Sequence, residues 1–406
     1  MGLVIDIMNI NYKGYIAHFG LAVLLAVAVY AALDFLILLT WDSEESRIVE
    51  VIDIGKAVDV TGESDDRYDE DEESSPYRTI KTDIAVNVLT GEQRGEFFSL
   101  PVTQMAGSGV ELKKGGRYIL LVDVFEDDTM QYSIADTFRV SSVAGVVVFA
   151  CACLAAFAGE AGIRAMLGLG ISIAFLLWGY VPLAAGGWAP VPFAFLTSFA
   201  IAGVTVSLVV HRKQSRIVAF LGTMGGVGGA FLLGFMMVHI WQLSGLSGDG
   251  AALLASTLPD IDLRGILLAS IIISSIGAVL DVGISITASM SELIEYDPKI
   301  STVTLWSSGI RVGSEVLGSM INTLILAYLG TSLPIAILIS NAGADFWGLM
   351  NDPYVGQEIV QSIAGTSGLL LTIPITATLF ALRERWLEKW RKGKTKGSVK
   401  NNAYHK

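Results

Sequence analysis

The amino-acid sequence predicts an all-α polytopic membrane helix bundle with a small extracytoplasmic β-barrel-like domain inserted after the first helix. Eight stretches of roughly twenty residues or more carry almost no charge, and a helix of that length spans a ~30 Å hydrocarbon core. Only 16% of the 406 residues are charged and 52% are apolar, whereas soluble domains average about 25% charged residues. One long polar block, residues 42–140, interrupts the apolar runs.

The first apolar run, residues 16–40, predicts a retained membrane anchor within residues 1–41. The run is longer than the roughly 7–15 apolar residues of a signal peptide, and no small-residue cleavage pattern precedes the acidic stretch that follows. Asp34 lies in its outer third. Two interpretations of Asp34 stay open: its carboxylate snorkels toward the interface, or it pairs with another helix.

Residues 42–140 predict a β domain outside the membrane. Apolar and polar residues alternate from Ile80 to Val88 and around residues 48–54, as in half-buried strands. Turn signals divide the block into five or six short strands, which favours a small antiparallel barrel of OB-like type. Its residues 62–75 are too acidic to bury and predict a disordered loop, with loose binding of divalent cations as the alternative.

Formal charge is concentrated at two places in the chain. Residues 41–80 hold fourteen acids and four bases, and the last 24 residues hold nine Lys and Arg against two Glu. The basic tail, residues 383–406, also contains Trp386 and Trp390, so contact with the lipid bilayer through anionic lipid is expected, and a role as topology determinant alone is the simpler alternative. No basic groove or motif accompanies the tail, so nucleic acid is not an expected partner.

A seven-helix membrane domain is predicted for residues 141–382. Its spans are approximately residues 142–158, 166–186, 191–210, 217–243, 265–290, 309–338 and 359–382. The short loop 211–216 and the tail are basic, which places both in the cytoplasm. With eight crossings of an inner or plasma membrane, both termini are then cytoplasmic and residues 42–140 are extracytoplasmic.

Small residues in the fifth span predict close helix packing. Glycines at 222 and 226, and again at 225 and 229, have the G-x-x-x-G spacing that lets helix backbones approach in lipid. The packing positions assigned are Gly222, Gly225, Gly226 and Gly229, together with Gly318 in the seventh span. Such packing forms within the chain or in a homo- or hetero-oligomer with a related membrane protein. The alternative is a weakened helix that lines a path.

Charged residues inside the sixth and seventh spans give the strongest indication of a functional site. Asp281 is followed one turn later by Ser285, and the positions 311, 315, 318 and 322 form one stripe of Arg311, Glu315, Gly318 and Asn322. We expect the stripe to face protein, with Arg311 neutralising one of the two carboxylates and the other free for a proton or cation. A structural ion pair and interfacial snorkelling of Arg311 are the alternatives.

Enzymatic chemistry is not expected. The sequence has no nucleophile elbow, zinc-protease motif, P-loop or dinucleotide-binding glycine pattern, and its four histidines are scattered. Cys151 and Cys153 are two residues apart, on nearly opposite sides of a helix, so no disulfide or zinc site is predicted. The sequence therefore predicts neither a cofactor nor a metal.

Five short motifs lie between residues 200 and 382: DLRG at 262–265, GAVLDVGIS at 277–285, GSMINTLILAY at 318–328, EIV at 358–360 and LTIP at 371–374. In these motifs the chain resembles the YibE/YibF family of bacterial membrane proteins. The family's Arg-acid pair would fall on Ser314 and Glu315, so this chain departs from the pattern at Ser314 and has Arg311 one turn earlier. The resemblance implies the membrane architecture and no established activity.

Two functions follow as hypotheses from these patterns. In the first, the protein is a permease-like carrier of a small solute or ion, with Asp281 and Glu315 as ion or proton sites, Arg311 as counter-charge, and Ser285 and Asn322 as polar lining. In the second, it is a non-transporting membrane scaffold or envelope assembly factor that acts through the outside β domain.

Overall fold

The computed structural model describes most of the chain as two compact units, Met1–Gly162 and Ile163–Lys406. The described residues are 2–41, 46–59, 79–91, 94–105, 110–124, 130–210, 212–247, 249–341 and 346–403. The predicted acidic loop 62–75 and the side chains of the basic tail beyond residue 385 lie outside the described part.

The first unit begins with helix α1, Gly2–Thr40, and includes the start of helix α2, Val140–Ala174. The rings of Phe19 and Phe149 meet edge to face at 5.7 Å, and a Cβ added at Gly145 would lie 3.3 Å from the Cβ of Tyr30. Small residues therefore let α1 and α2 pack closely. The outer side of α1 keeps large apolar side chains exposed, as a lipid-facing helix requires.

Five strands lie between these two helices. They are β1 (Ser46–Asp59), β2 (Thr79–Val88), β3 (Phe97–Met105), β4 (Arg117–Val124) and β5 (Met130–Thr137). The alternation predicted for residues 80–88 is observed, because Ile84, Val86 and Val88 are fully buried. They pack with Val49, Val51 and Leu120 in one apolar core, so the predicted small antiparallel sheet is confirmed.

The strand order is β1-β2-β3-β5-β4, and β1 pairs with both β2 and β4. The ladders β1–β2, β1–β4, β2–β3 and β4–β5 are antiparallel and extend over five or more residue pairs each. The contact between β3 and β5 is parallel and consists of the single pair Thr103 and Ser133. This seam is the weakest of the five, because one pair gives few backbone hydrogen bonds.

The described residues contain seven helical segments long and apolar enough to cross a membrane. They are Phe19–Leu38, Val140–Ala185, Pro190–Val209, Ser215–Ile240, Leu263–Tyr296, Thr302–Thr331 and Pro353–Arg385. Eight were predicted. The count differs because the predicted spans 142–158 and 166–186, apart from residue 186, fall within the 46 residues of Val140–Ala185. The backbone in that segment leaves helical geometry at Gly159, with φ 56° and ψ −134°.

The second unit is helical throughout. After α2 come a π-helical turn, Phe175–Tyr180, and helix α3, Val181–Ala185. The remaining helices are α4 (Pro190–Val209), α5 (Lys213–Ile240), α6 (Asp249–Thr257), α7 (Leu263–Tyr296), α8 (Thr302–Thr331), α9 (Leu333–Asn341), α10 (Phe346–Asn351) and α11 (Pro353–Ala403). Asp262 caps α7 by accepting a hydrogen bond from the Gly265 amide at 2.8 Å. Ser301 caps α8 in the same way through Thr304 at 3.0 Å.

Helices α5, α7 and α11 form the centre of this unit, and α4 and α8 pack on them. In the most apolar stretch of α7, 61% of the residues are buried within the chain, whereas in that of α8 only 6% are buried. The core is filled by branched and aromatic side chains, among them Ile272, Val279, Ile286, Leu369 and Phe380. Helix α8 therefore lies at the edge of the packed bundle.

Candidate functional site

The predicted site residues lie on the neighbouring helices α7 and α8, and we call them together the polar face: Asp281, Ser285, Arg311, Glu315 and Asn322. Four of them are exposed on the surface of the chain, and Ser285 is half-buried. The expectation that these side chains face protein is not met by the chain's own helices. Helices α7 and α8 are neighbours, as expected, but within the single chain the charged side of α8 faces outward.

A row of small residues explains the orientation of α8. Gly309 and Gly313 are buried, and a Cβ added at Gly309 would lie 3.2 Å from the Cβ of Ala377 in α11. A Cβ at Gly313 would lie 2.6 Å from Ile373 and 2.9 Å from Ile286. Positions two residues further along a helix are rotated by roughly 200°, so Arg311 and Glu315 point away from this contact.

Trp306 strengthens the same contact, because its indole Nε1 donates a hydrogen bond to Thr378 Oγ1 at 3.1 Å. Close packing through glycine therefore decides which side of α8 faces α11. The charged stripe takes the opposite side.

A shallow groove of about 640 Å³ lies between the end of α7 and the start of α8. It is lined by Ser289, Glu292, Leu293, Glu295, Tyr296, Ser308, Arg311 and Val312. Arg311 thus shares an open groove with two carboxylates that the sequence analysis did not single out. Asp281 precedes Glu292 in α7 by eleven residues, about 16 Å along the helix axis, and does not line this groove.

The spacing of Glu292 and Glu295 contained a signal that the sequence analysis missed. Both acids lie in the last two turns of α7, where the helix dipole places partial negative charge and carboxylates are unfavourable. Acids at such a helix end indicate a nearby cationic partner. Glu295 has one, since it forms an ion pair with Arg212 at the start of α5.

Hydroxyl groups join the same end of α7 to α5. The hydroxyls of Ser215 and Ser291 are buried and lie 2.8 Å apart. Arg216 turns back and donates from Nε to the carbonyl of Val210 at 2.7 Å. Two contacts, Glu295 with Arg212 and Ser291 with Ser215, therefore hold the groove's α7 wall against the start of α5.

The predicted ion pair within the polar face is not formed in the described part of the chain. Neither Asp281 nor Glu315 pairs there with Arg311 or with another basic side chain. A charge at membrane depth without a counter-charge is costly. The polar face of a single chain is consequently an incomplete environment for these three groups.

Four of the glycines assigned to packing lie against α11. A Cβ added at Gly225 would meet Ile375 at 3.0 Å, and those at Gly222 and Gly229 would overlap Thr376 and Leu371. Gly226 is the tightest position, because its Cβ would meet Thr372, Val279 and the carbonyl of Gly368. Gly318 differs, since nothing lies within 4 Å of its added Cβ. The glycine motif predicted which side of α5 packs closely against another helix. The structure identifies that helix as α11.

A second constellation, in the first unit, includes Asp34. Its carboxylate accepts hydrogen bonds from Arg117 Nη1 of β4 at 2.6 and 2.8 Å and from Ser141 Oγ of α2 at 3.0 Å. We call these three residues the Asp34 clamp. Hydrogen bonding to Asp34 raises the pKa of the Arg117 guanidinium, so the group stays charged.

Of the two interpretations of Asp34, the structure shows pairing. The pairing is with a strand as well as a helix. Arg117 is 83 residues away along the chain, so no local pattern could identify it as the partner.

Metal-binding geometry is absent from the described residues, where no group of three His, Cys, Asp or Glu side chains is placed to hold an ion. Cys151 and Cys153 are free and half-buried. The polar face on α7 and α8 consists of charged, hydroxyl and amide groups.

Comparison with known proteins gives one family. The family described as YibE/F-like protein matches residues 146–385, which is more than half of the chain. The match includes the motifs between residues 200 and 382 and extends toward the N-terminus through α2. Neither the curated proteins nor the solved structures contain a match.

Proposed function

The chain belongs to the YibE/F-like protein family, and from this membrane architecture we propose that it is a permease-like protein that moves a small solute or ion. The observation that supports transport is the position of Arg311, which belongs to the polar face and also lines the open groove with Glu292 and Glu295. A charged stripe that ends in a groove at the end of the helices offers a binding path from one membrane surface toward Asp281.

The charges of the polar face suit a cation or a proton. Two carboxylates, Asp281 and Glu315, are accompanied on the polar face by one guanidinium, Arg311, so one negative charge of this face has no counter-charge among the described residues. At membrane depth that charge must be neutralised, and a proton or a bound cation does so. Ser285 and Asn322 supply neutral oxygen atoms beside it. The proposal involves no catalytic step and no cofactor.

We expect the substitution Asp281→Asn to reduce ion or proton flux by about tenfold or more, because the amide cannot carry the charge that couples binding to release. The measurement is proton flux, with a pH-sensitive dye, and tracer sodium flux in proteoliposomes of the purified protein. The matched control is Asp260→Asn, at an exposed carboxylate between α6 and α7, which should leave both fluxes unchanged.

Two results would contradict this role for Asp281. One is unchanged flux in the Asp281→Asn variant. The other is a decrease of a few kcal/mol in its free energy of unfolding, which would indicate a structural charge whose partner is left unpaired.

The finer topology is part of the proposal. A straight helix of 46 residues would be about 69 Å long, more than twice the ~30 Å core, so Val140–Ala185 supports two crossings that are separated near Gly159. Eight crossings of an inner or plasma membrane then leave both termini in the cytoplasm and the β domain outside. The basic tail would rest on anionic lipid. The pairing of β1 with both β2 and β4 supports an OB-like barrel.

A scaffold function is the second candidate. Large apolar side chains are exposed on the strands, with Phe97 70% and Val58 58% exposed, and the Asp34 clamp fixes the same domain to α1 and α2. A domain held in place with exposed apolar groups suits the binding of an envelope partner.

Replacement of residues 46–137 by a Gly/Ser linker separates the two candidates. If the helices transport, the shortened protein should keep its flux per molecule in proteoliposomes, because the polar face lies in the second unit. A scaffold would instead lose cross-linking to its envelope partner in cell membranes. Loss of flux in a shortened protein that remains folded, judged by its melting curve, would contradict the assignment of transport to α7 and α8.

A further inference from the structure

The exposed side of α8 is unusually polar for a helix that crosses a membrane. It presents Arg311, Ser314, Glu315, Gly318, Ser319, Asn322 and Thr323, all of which are exposed. The hydroxyls of Ser314 and Ser319 bond to carbonyls of their own helix, at 2.9 and 2.8 Å. In the described part of the chain, the guanidinium of Arg311, the carboxylate of Glu315 and the amide of Asn322 form no hydrogen bond or ion pair. Lipid chains offer them neither donors nor acceptors.

We propose that a second copy of the chain covers this side of α8, with the two α8 helices packed about a two-fold axis along the membrane normal. In that arrangement Arg311 of each copy meets Glu315 of the other. Under this symmetry each residue lies level with its own copy, so Arg311 reaches Glu315 of the other chain diagonally, one turn along the axis, and the four charges together are neutral. The inference concerns assembly and stands independently of the transport proposal.

The size of the side chains allows the two helices to approach closely. Ser314 and Gly318 have small-x-x-x-small spacing, and Gly318 has nothing within 4 Å of its added Cβ in the single chain. The height difference between Arg311 and Glu315 is about 6 Å, within reach of an arginine side chain on a parallel partner helix. A second copy therefore supplies the counter-charge that the chain's own helices lack.

Assembly also explains why α8 packs on its own chain through the side that contains Gly309 and Gly313 and leaves the charged side open. Helix α8 then has two close contacts on opposite sides, one to α11 through these glycines and one to the second copy through Ser314 and Gly318. An unrelated membrane partner would need a matching stripe of its own, whereas a second copy carries that stripe already.

The first test is disulfide cross-linking of the purified protein in proteoliposomes. Cys151 and Cys153 are replaced by alanine, and Gly318→Cys is introduced. Mild oxidation should give a product of twice the chain mass, because a disulfide requires Cα atoms within about 7 Å. The control is Leu232→Cys on α5, which is 66% exposed and should give no such product. If only monomer forms, or if Leu232→Cys cross-links equally, the inference is overturned.

The second test is a charge exchange in the Gly318→Cys background. Arg311→Glu and Glu315→Arg should each lower cross-linking and weaken the dimer in detergent about tenfold or more, because like charges then meet across the axis. The double exchange should restore dimerisation to within about threefold. Melting curves of all variants identify any that misfold.

If the single exchanges have no effect or the double exchange fails to restore dimerisation, the pairing of Arg311 with Glu315 across the axis is wrong. In cell membranes, a cross-linked product whose mass differs from two chains would show another protein on this side and would overturn the inference. A dimer without measurable flux would retain this inference and refute the transport proposal.

Discussion

Replacement of Gly226 by alanine should lower the free energy of unfolding by about 3 kcal/mol or more. The added Cβ would overlap the hydroxyl of Thr372 and would lie 2.7 Å from Val279 Cγ1 and 2.8 Å from the carbonyl oxygen of Gly368. Thr372 has no room to turn away, since it is fully buried and donates to the Gly368 carbonyl at 2.7 Å. The only relief is separation of α5 from α11.

The matched control is Gly228→Ala, two residues further along the same helix. Nothing lies within 4 Å of a Cβ at this position, so the change should be neutral or should stabilise the helix by up to about 1 kcal/mol. Reversible unfolding of the purified protein in detergent measures both variants. Equal effects of the two substitutions would show that α5 and α11 do not pack through Gly226.

Replacement of Asp34 by asparagine is expected to weaken the attachment of the β domain to its helices by about 1–3 kcal/mol. The substitution leaves the Arg117 guanidinium without its charged partner, and Arg117 is only 36% exposed, so water replaces the lost contacts in part. Backbone amides of β4 and of the first turn of α2 should then exchange with deuterium about tenfold faster or more.

A surface ion pair of the same domain provides the control for Asp34. Lys114 pairs with Asp53, and both side chains are 65% exposed, so Lys114→Gln should not change the exchange of these amides. Recovery of slow exchange in an Asp34→Glu variant would support charge pairing as the cause. If Asp34→Asn exchanged as slowly as the unaltered protein, the clamp would contribute nothing to the attachment.

The orientation of α8 shows where sequence reasoning reached its limit. The helix has two stripes, a polar one through Arg311 and Glu315 and a small-residue one through Gly309 and Gly313, and either is a plausible inner side. The charges suggested that the polar stripe faces the bundle. Packing decided otherwise, because Gly309 and Gly313 allow contact with α7 and α11 that a charged side would prevent. Both stripes can be recognised in the sequence. The sequence does not show which of them packs against the other helices.

Features that depend on residues close together in the sequence were predicted better than contacts between distant parts of the chain. The alternation in β2 and the glycines of α5 depend on neighbouring residues, and both were identified correctly as a strand and as a packing face. The partner of Asp34 and the neighbour of α5 depend on contacts across the chain, which a single sequence does not contain. The number of spans was ambiguous for a local reason, a glycine that departs from helical geometry within a long apolar run.

The short connections of the β domain have a consequence for its reach. Strand β1 begins at Ser46, shortly after α1 ends at Thr40, and only two residues separate the end of β5 at Thr137 from the start of α2 at Val140. A domain joined at both termini by such short connections can neither rotate freely nor move far from the ends of α1 and α2. The two connections therefore keep the strands next to the ends of α1 and α2.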